Sequence, residues 1–246
     1  MEAINSSSST PSTYQASATS VGGSSLLPSK YMQEKPVTIL VGLARKKYYI
    51  FKNLLAAKSP YFAAQFKDCW DGQKDEVELL DATGGDFEVV VDWMHVGKLP
   101  TKLTQYTEHP EYDWDLAAQT YKLADKLMMP ELQNEVLKNE ASILASNNKS
   151  WHYSKLATLH TAELTHTPYY TFVLKSVVRR MMIDPDQSDR ELQKYYSALE
   201  SCPKVAMDVL ASINRWNVKR WGDLRSDNLS EFLLPVANAD DAPNNN

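Results

Sequence analysis

Catalysis needs convergent groups, and this chain has few residues that could supply them. Its five histidines are His95, His109, His152, His160 and His166. No two of them stand four residues apart on a predicted helix, the spacing that would let one helical face offer two nitrogens to zinc. Two cysteines, Cys69 and Cys202, are too few and too far apart for a thiol-rich metal site or a disulfide framework, and neither belongs to a Cys-x-x-Cys pair. A serine nucleophile in a Gly-x-Ser-x-Gly elbow and a phosphate-cradling Gly-x-x-x-x-Gly-Lys loop are both missing from the sequence. Gly42 is followed by Arg45, Lys46 and Lys47, but this trio lacks the second glycine and reads as a solvated hairpin turn. His160 falls on an apolar helical face and reads as a packed, satisfied imidazole. The expectation is a chain with no catalysis of its own, no cofactor and no metal. An enzyme using an unrecognised site in the helical region is the reading these residues leave open.

Aromatic residues set among charges are better suited to a function. Trp70 stands in the polar stretch Lys67, Asp68, Asp71, Gln73 and Lys74, and Tyr112 and Trp114 lie inside the acidic run Glu108 to Asp115. Large aromatics supply a disproportionate share of binding energy at protein interfaces. Lys67, Asp68, Trp70, Asp71, Tyr112 and Trp114 are therefore the candidate protein-contact residues. The plainer alternatives are a Trp70 tucked under its own loop and an acidic loop folded back on its domain. Lys175, Arg179 and Arg180, and again Arg215, Lys219 and Arg220, form basic helical faces that read as charged outer surfaces or as contacts for an acidic partner.

Composition narrows the partners. A net charge of −5 gives no general basic face for nucleic acid, so no direct nucleic-acid binding is expected. No apolar run approaches the roughly 20 residues that cross a bilayer, and the N-terminus lacks a basic stretch followed by an apolar one. Neither membrane insertion nor secretion is expected. The three Asn-x-Ser sequons at Asn5, Asn148 and Asn228 then read as chance. Cytoplasm, nucleus or both follow as the expected location.

The elements that would position these residues alternate along the chain. Residues 1–32 are rich in Ser and Thr, without apolar periodicity, and read as disordered, as do residues 236–246. Val37 to Val41 and Tyr48 to Phe51 read as strands joined by a polar turn. Asn53 is the expected cap of a short helix, and Ser59 with Pro60 opens the next, through Phe66. Val77-Glu78-Leu79 alternates like a half-buried strand. Gly84-Gly85-Asp86 reads as a turn and cap before a helix with Phe87, Val90, Val91 and Met94 on one face, closed by Gly97. Further helices align Leu116, Thr120, Leu123, Ala124 and Leu127, and then Leu132, Val136 and Leu137 behind Pro130. This order predicts an α+β domain over 33–140 with a small three-stranded sheet.

Residues 141–235 read as helix only. Ser150 is the expected cap of a helix with Tyr153, Leu156, Ala157, His160 and Leu164 inward. Thr167-Pro168 opens another with Phe172, Val173, Val177 and Met181 inward, stopped at Asp184-Pro185. A capping box at Ser188-x-x-Glu191 and a helix from Pro203 to about Trp221 complete the set.

The run Pro36 to Gly42, then Tyr48 to Lys52, then Leu54 to Phe62 resembles BTB/POZ domains. Val77-Glu-Leu79, Phe87 to Leu99 and the Tyr121 to Asn134 helix pair resemble later pieces of the same family in the same order, with the flavour of short fungal BTB proteins. The resemblance implies a small sheet capped by helices, acting through protein contacts as an adaptor or scaffold. Some members form homodimers, and some act as substrate receptors of cullin-type ubiquitin ligases; both remain open here. In place of the swap helix of dimeric animal members, this chain has its Ser-rich tail. Pro36 and Phe51 occupy places where the family often has Asp and His, which makes a charged pocket apolar, read as packed core. Trp70-Asp71-Gly72 matches the apolar anchor of cullin-binding members, with the carboxylate displaced by one residue.

Overall fold

A computed structural model describes residues 36–67, 76–100, 103, 114–146, 154–183, 196–197, 200, 202–215 and 226–236. Strand β1 (Pro36–Val41) pairs antiparallel with β2 (Lys46–Phe51) and parallel with β3 (Glu76–Leu79), giving the order β2-β1-β3. Because side chains alternate along a strand, Val37, Ile39 and Val41 share a face. The register adds Ile50, Val77 and Leu79 to it, and all six are 6% exposed or less. The other face carries Tyr49 opposite Thr38 and Lys47 opposite Leu40, with Glu76 and Glu78 along β3. The β1–β2 turn begins at Gly42, where φ is +70° and an added Cβ would stand 3.1 Å from the Ala82 carbonyl oxygen, so any larger residue there would be strained. Of the basic trio expected in this turn, only Arg45 is there; Lys46 and Lys47 already belong to β2, paired with Val41 and Leu40.

Helix α1 (Lys52–Lys58) follows β2 without a gap. Asn53, the expected cap, lies inside the helix, and the cap position falls on Phe51, which has no side-chain acceptor. The strand leads straight into the helix, so the first turn starts two residues early. Helix α2 (Pro60–Lys67) is capped as expected by Ser59, whose Oγ accepts from the Phe62 N–H at 3.3 Å and donates to the Leu127 carbonyl at 2.7 Å. Helix α3 (Gly84–Val96) is capped by Thr83 rather than by its glycines. The Thr83 side chain accepts from the Asp86 N–H, while Asp86 Oδ1 accepts from Thr83 Oγ1 at 2.9 Å and from the Phe87 N–H at 2.8 Å. Burial pushes the Asp86 carboxyl above its ordinary range. Thr83→Ala is expected to lower stability by about 1 kcal/mol, read as a lower midpoint of thermal unfolding, with Thr83→Ser close to wild type. Phe87, Val90 and Met94 are buried on α3 together with Val89 and Trp93, and Val91 is half-buried. Gly97, at φ +71°, ends the helix.

Helices α4 (Trp114–Lys126) and α5 (Pro130–Ser146) pack on each other and α4 also on α3. The Tyr121 hydroxyl, buried in α4, is pushed up to about 12 by desolvation and then by Asp125. Helix α5 runs unbroken past residue 140, where the helical region was expected to begin. Helices α6 (Ser154–Thr161), α7 (Pro168–Ile183) and α8 (Pro203–Arg215) follow, then a 3-10 helix (Ser226–Phe232). One hydrophobic cluster runs from Val37 to Phe232.

On α6, Leu156 is buried and Ala157 and His160 are half-buried; Leu164 is buried as expected but beyond the helix end, and Lys155 and Leu159 are buried as well. On α7, Phe172, Val173 and Val177 are buried and Met181 packs against the core. Ser150, Tyr153, Asp184, Pro185 and the Ser188–Glu191 capping box lie outside the described residues, as does the stretch from 216 to the expected helix end at Trp221.

The seam between α4, α5, α6 and α7 is polar at its centre. The Lys155 ammonium meets the Glu140 carboxylate, with the two side chains 3% and 0% exposed. The Tyr169 hydroxyl donates to the other Glu140 oxygen at 2.7 Å, the Lys155 ammonium lies 5.0 Å from the Tyr169 ring centre, and Tyr121 packs on Tyr169 with centroids 4.8 Å apart.

Candidate interaction surface

The outer face of the sheet combines a rigid base with exposed apolar side chains. Tyr49 is 67% exposed in the middle of β2, level with Thr38 and Glu76. In the next row Leu40 is buried to 2% between Lys47 and Glu78. Arg45 closes the end of that row through Glu78, at 2.5 Å, and Glu76, at 3.7 Å. The Gly42 N–H donates to the Leu79 carbonyl at 2.9 Å. Leu43 and Leu80, one residue beyond that bond on each side, are 91% and 44% exposed.

The other side of β2 is anchored. Tyr48 packs edge-on against Phe87 at 5.0 Å and its hydroxyl reaches Glu88 at 3.1 Å. Lys46 donates to the same carboxylate at 2.8 Å, which with Tyr48 holds its ammonium well above the usual lysine range. Phe51 is half-buried and packs against the core as expected, whereas Pro36, paired with it at the start of β1, is exposed, so the expected apolar pocket is only partly packed. Charged Lys46, Lys47, Glu76 and Glu78 along the two sheet edges discourage indiscriminate strand pairing, and Tyr49 remains available in the middle.

This surface was not among the candidates read from the sequence. Of those, Lys67 is the exposed last residue of α2, and Trp114 opens α4, with its side chain outside the described residues. Asp68, Trp70, Asp71 and Tyr112 lie outside the described residues. The signal for Tyr49 was present: with Ile50 facing the core, strand alternation sends Tyr49 outward.

A second concavity lies in the helical region, where a catalytic site had been left open. A cleft of about 540 Å³ between α6, α7 and α8 is lined by His160, Tyr170, Lys204, Asp208, Ser212 and Arg215, among others. Tyr170 donates to Asp208 at 2.5 Å, and burial followed by the Asp208 carboxylate pushes its hydroxyl far above the ordinary range, so it stays protonated. His160 is half-buried, and among the described residues no hydrogen bond ties its ring to Ser212 or Asp208. The Tyr170–Asp208 pair fixes two side chains rather than activating a nucleophile. Among the described residues no group of three or more His, Cys, Asp and Glu could hold a metal, and no helix is long and apolar enough to cross a membrane.

Residues 30–142 match the family model of the BTB/POZ domain. Among solved structures, the chain is similar to the BTB domain of human gigaxonin at 16% identity and a TM-score of 0.36, over 50% of this chain and 98% of that one. It is similar to the BTB domain of zebrafish PATZ1 at 17% identity and a TM-score of 0.33, over 50% of this chain and 88% of that one. No curated protein matches the sequence.

Proposed function

We propose that this chain, whose residues 30–142 match the BTB/POZ family model, is an adaptor or scaffold that gathers proteins on the outer sheet face of that region. The observation that carries the reading is Tyr49, exposed on a strand whose opposite side is anchored through Tyr48 to α3. A rigid, amphipathic aromatic loses little conformational freedom on binding and fills a partner's pocket. Leu43 and Leu80 widen the apolar footprint, and the Arg45–Glu78 pair supplies a charged rim.

The test compares full-length wild type with Tyr49→Arg combined with Leu43→Ser. Both positions are solvent-exposed, so stability is expected to move by no more than about 0.5 kcal/mol. Recovery of partner proteins in a quantitative pull-down is expected to fall at least tenfold. An unchanged partner set with an unchanged melt would sink the reading. A cullin among the recovered proteins makes the chain a substrate receptor, and light scattering of the full chain separates a homodimer from a monomer. Trp70→Ala, measured alongside, reports whether the segment after α2 belongs to the same interface.

A further inference from the structure

The C-terminal segment lies against α5 and α7 in the manner of a bound peptide. The 3-10 helix Ser226–Phe232 packs on both helices, and residues 233–236 continue from it. Asn134 on α5, 6% exposed, spends both halves of its amide on one residue. Its Nδ2 donates to the Leu234 carbonyl at 2.8 Å and its Oδ1 accepts from the Leu234 N–H at 2.7 Å. Such a clamp reads main chain and is indifferent to the side chain of the residue it holds. Phe232 is 4% exposed and packs edge-on against Phe172 at 5.4 Å. Lys175 on α7 lies 4.7 Å from the Phe232 ring centre and donates to Glu231 at 2.9 Å. Leu229 and Leu233 pack on the core, while Ser230 and Glu231 remain exposed.

The groove therefore recognises an acidic residue, an aromatic anchor beside it and a backbone unit two residues further on. Emptied, it would hand the Asn134 amide to water but expose the apolar surface that Phe232 now covers on Phe172, so it favours being filled by some segment of this kind. The resident grip is the Phe232 anchor, the partly buried Leu229 and Leu233, one clamp and one half-exposed ion pair, with few fully buried contacts to hold the segment down.

We propose that the α5–α7 groove is a binding site for a short partner peptide of acidic-aromatic-leucine pattern, and that residues 229–234 are its resident competing ligand. This site is separate from the outer sheet face and does not depend on the adaptor reading. A tethered ligand competes at an effective concentration on the order of millimolar, so a free peptide enters only when the resident is weakened or outcompeted.

The probe is a labelled peptide of residues 226–236, read by fluorescence anisotropy on the full-length chain. Phe232→Ala, with a cooperative thermal melt, is expected to bind it at least tenfold more tightly than wild type does. Asn134→Leu added to that variant is expected to remove the gain, as is replacing the phenylalanine of the peptide by alanine. If Phe232→Ala fails to fold, Leu234→Pro, which deletes the clamped N–H, takes its place. A folded variant that binds no better than wild type, or binds equally without Asn134, overturns the proposal. A wild-type mass of two copies that returns to one on adding peptide would assign the groove to the tail of a second copy and overturn the partner-peptide reading.

Discussion

Lys155→Ala is expected to lower the unfolding free energy by about 3–5 kcal/mol, because it leaves a buried carboxylate without its counter-charge. Glu140 is fully buried and Lys155 meets it at the centre of the α5–α6–α7 seam, where Tyr169 donates a hydrogen bond and lies under the ammonium. Removing both charges at once, with Glu140→Met and Lys155→Met, is expected to cost less than the single change, since no uncompensated charge remains. Urea denaturation checks both, as shifts in midpoint at constant slope.

The pair also sets a pH dependence. Burial, against the pull of Glu140, pushes Lys155 down from 10.5 to about 8. The unfolded chain therefore holds this proton more tightly than the folded one between about pH 8 and 10.5. By linkage the contribution of this group to stability rises with pH across that window. Below it the full cost of burying the charge is present. Midpoints measured from pH 7 upward should show this rise in wild type and lose it in the double methionine variant.

The second large effect is expected at Phe87. Its ring is fully buried between the inner face of the sheet and α3, edge-on to Tyr48. Phe87→Ala is expected to cost about 3–5 kcal/mol from the lost transfer energy and the cavity left behind. Tyr48 then loses the ring that steadies β2, and Tyr49 is its neighbour. Partner binding by Phe87→Ala should fall in step with the folded fraction measured by circular dichroism. Binding lost by the Tyr49→Arg and Leu43→Ser chain should instead be lost at an unchanged melt. If Phe87→Ala retains full binding above its unfolding midpoint, the outer sheet face is not the interface.

The sheet and the helices around it were legible because their signals are local. Alternation in Val37–Val41 and Val77–Leu79, the apolar face of α3, Ser59 before Pro60 and Gly97 each lie within a few neighbouring residues. Thr83-x-x-Asp86 was also a local box, overlooked beside the two glycines that follow Thr83. The polar seam was not legible. Lys155 sits fifteen residues from its counter-charge and, taken alone, looks like a solvated helical lysine. Asn134 and Leu234, a hundred residues apart, meet only once α5 and the terminal segment are in place. The interaction candidates were chosen by aromatic content among charges, a rule that favours loops and passed over Tyr49 inside a strand.

Helix α5 supplies Leu132, Val136 and Leu137 to the common core, Asn134 to the groove and Glu140 to the seam. Cutting the chain at 140 would sever this helix six residues before its end at Ser146 and strand Glu140 without Lys155. At 1.5 Å per residue its seventeen residues span about 25 Å. It acts as a common axle, holding the Asn134 groove and the Glu140 seam at a fixed distance and bearing from one another.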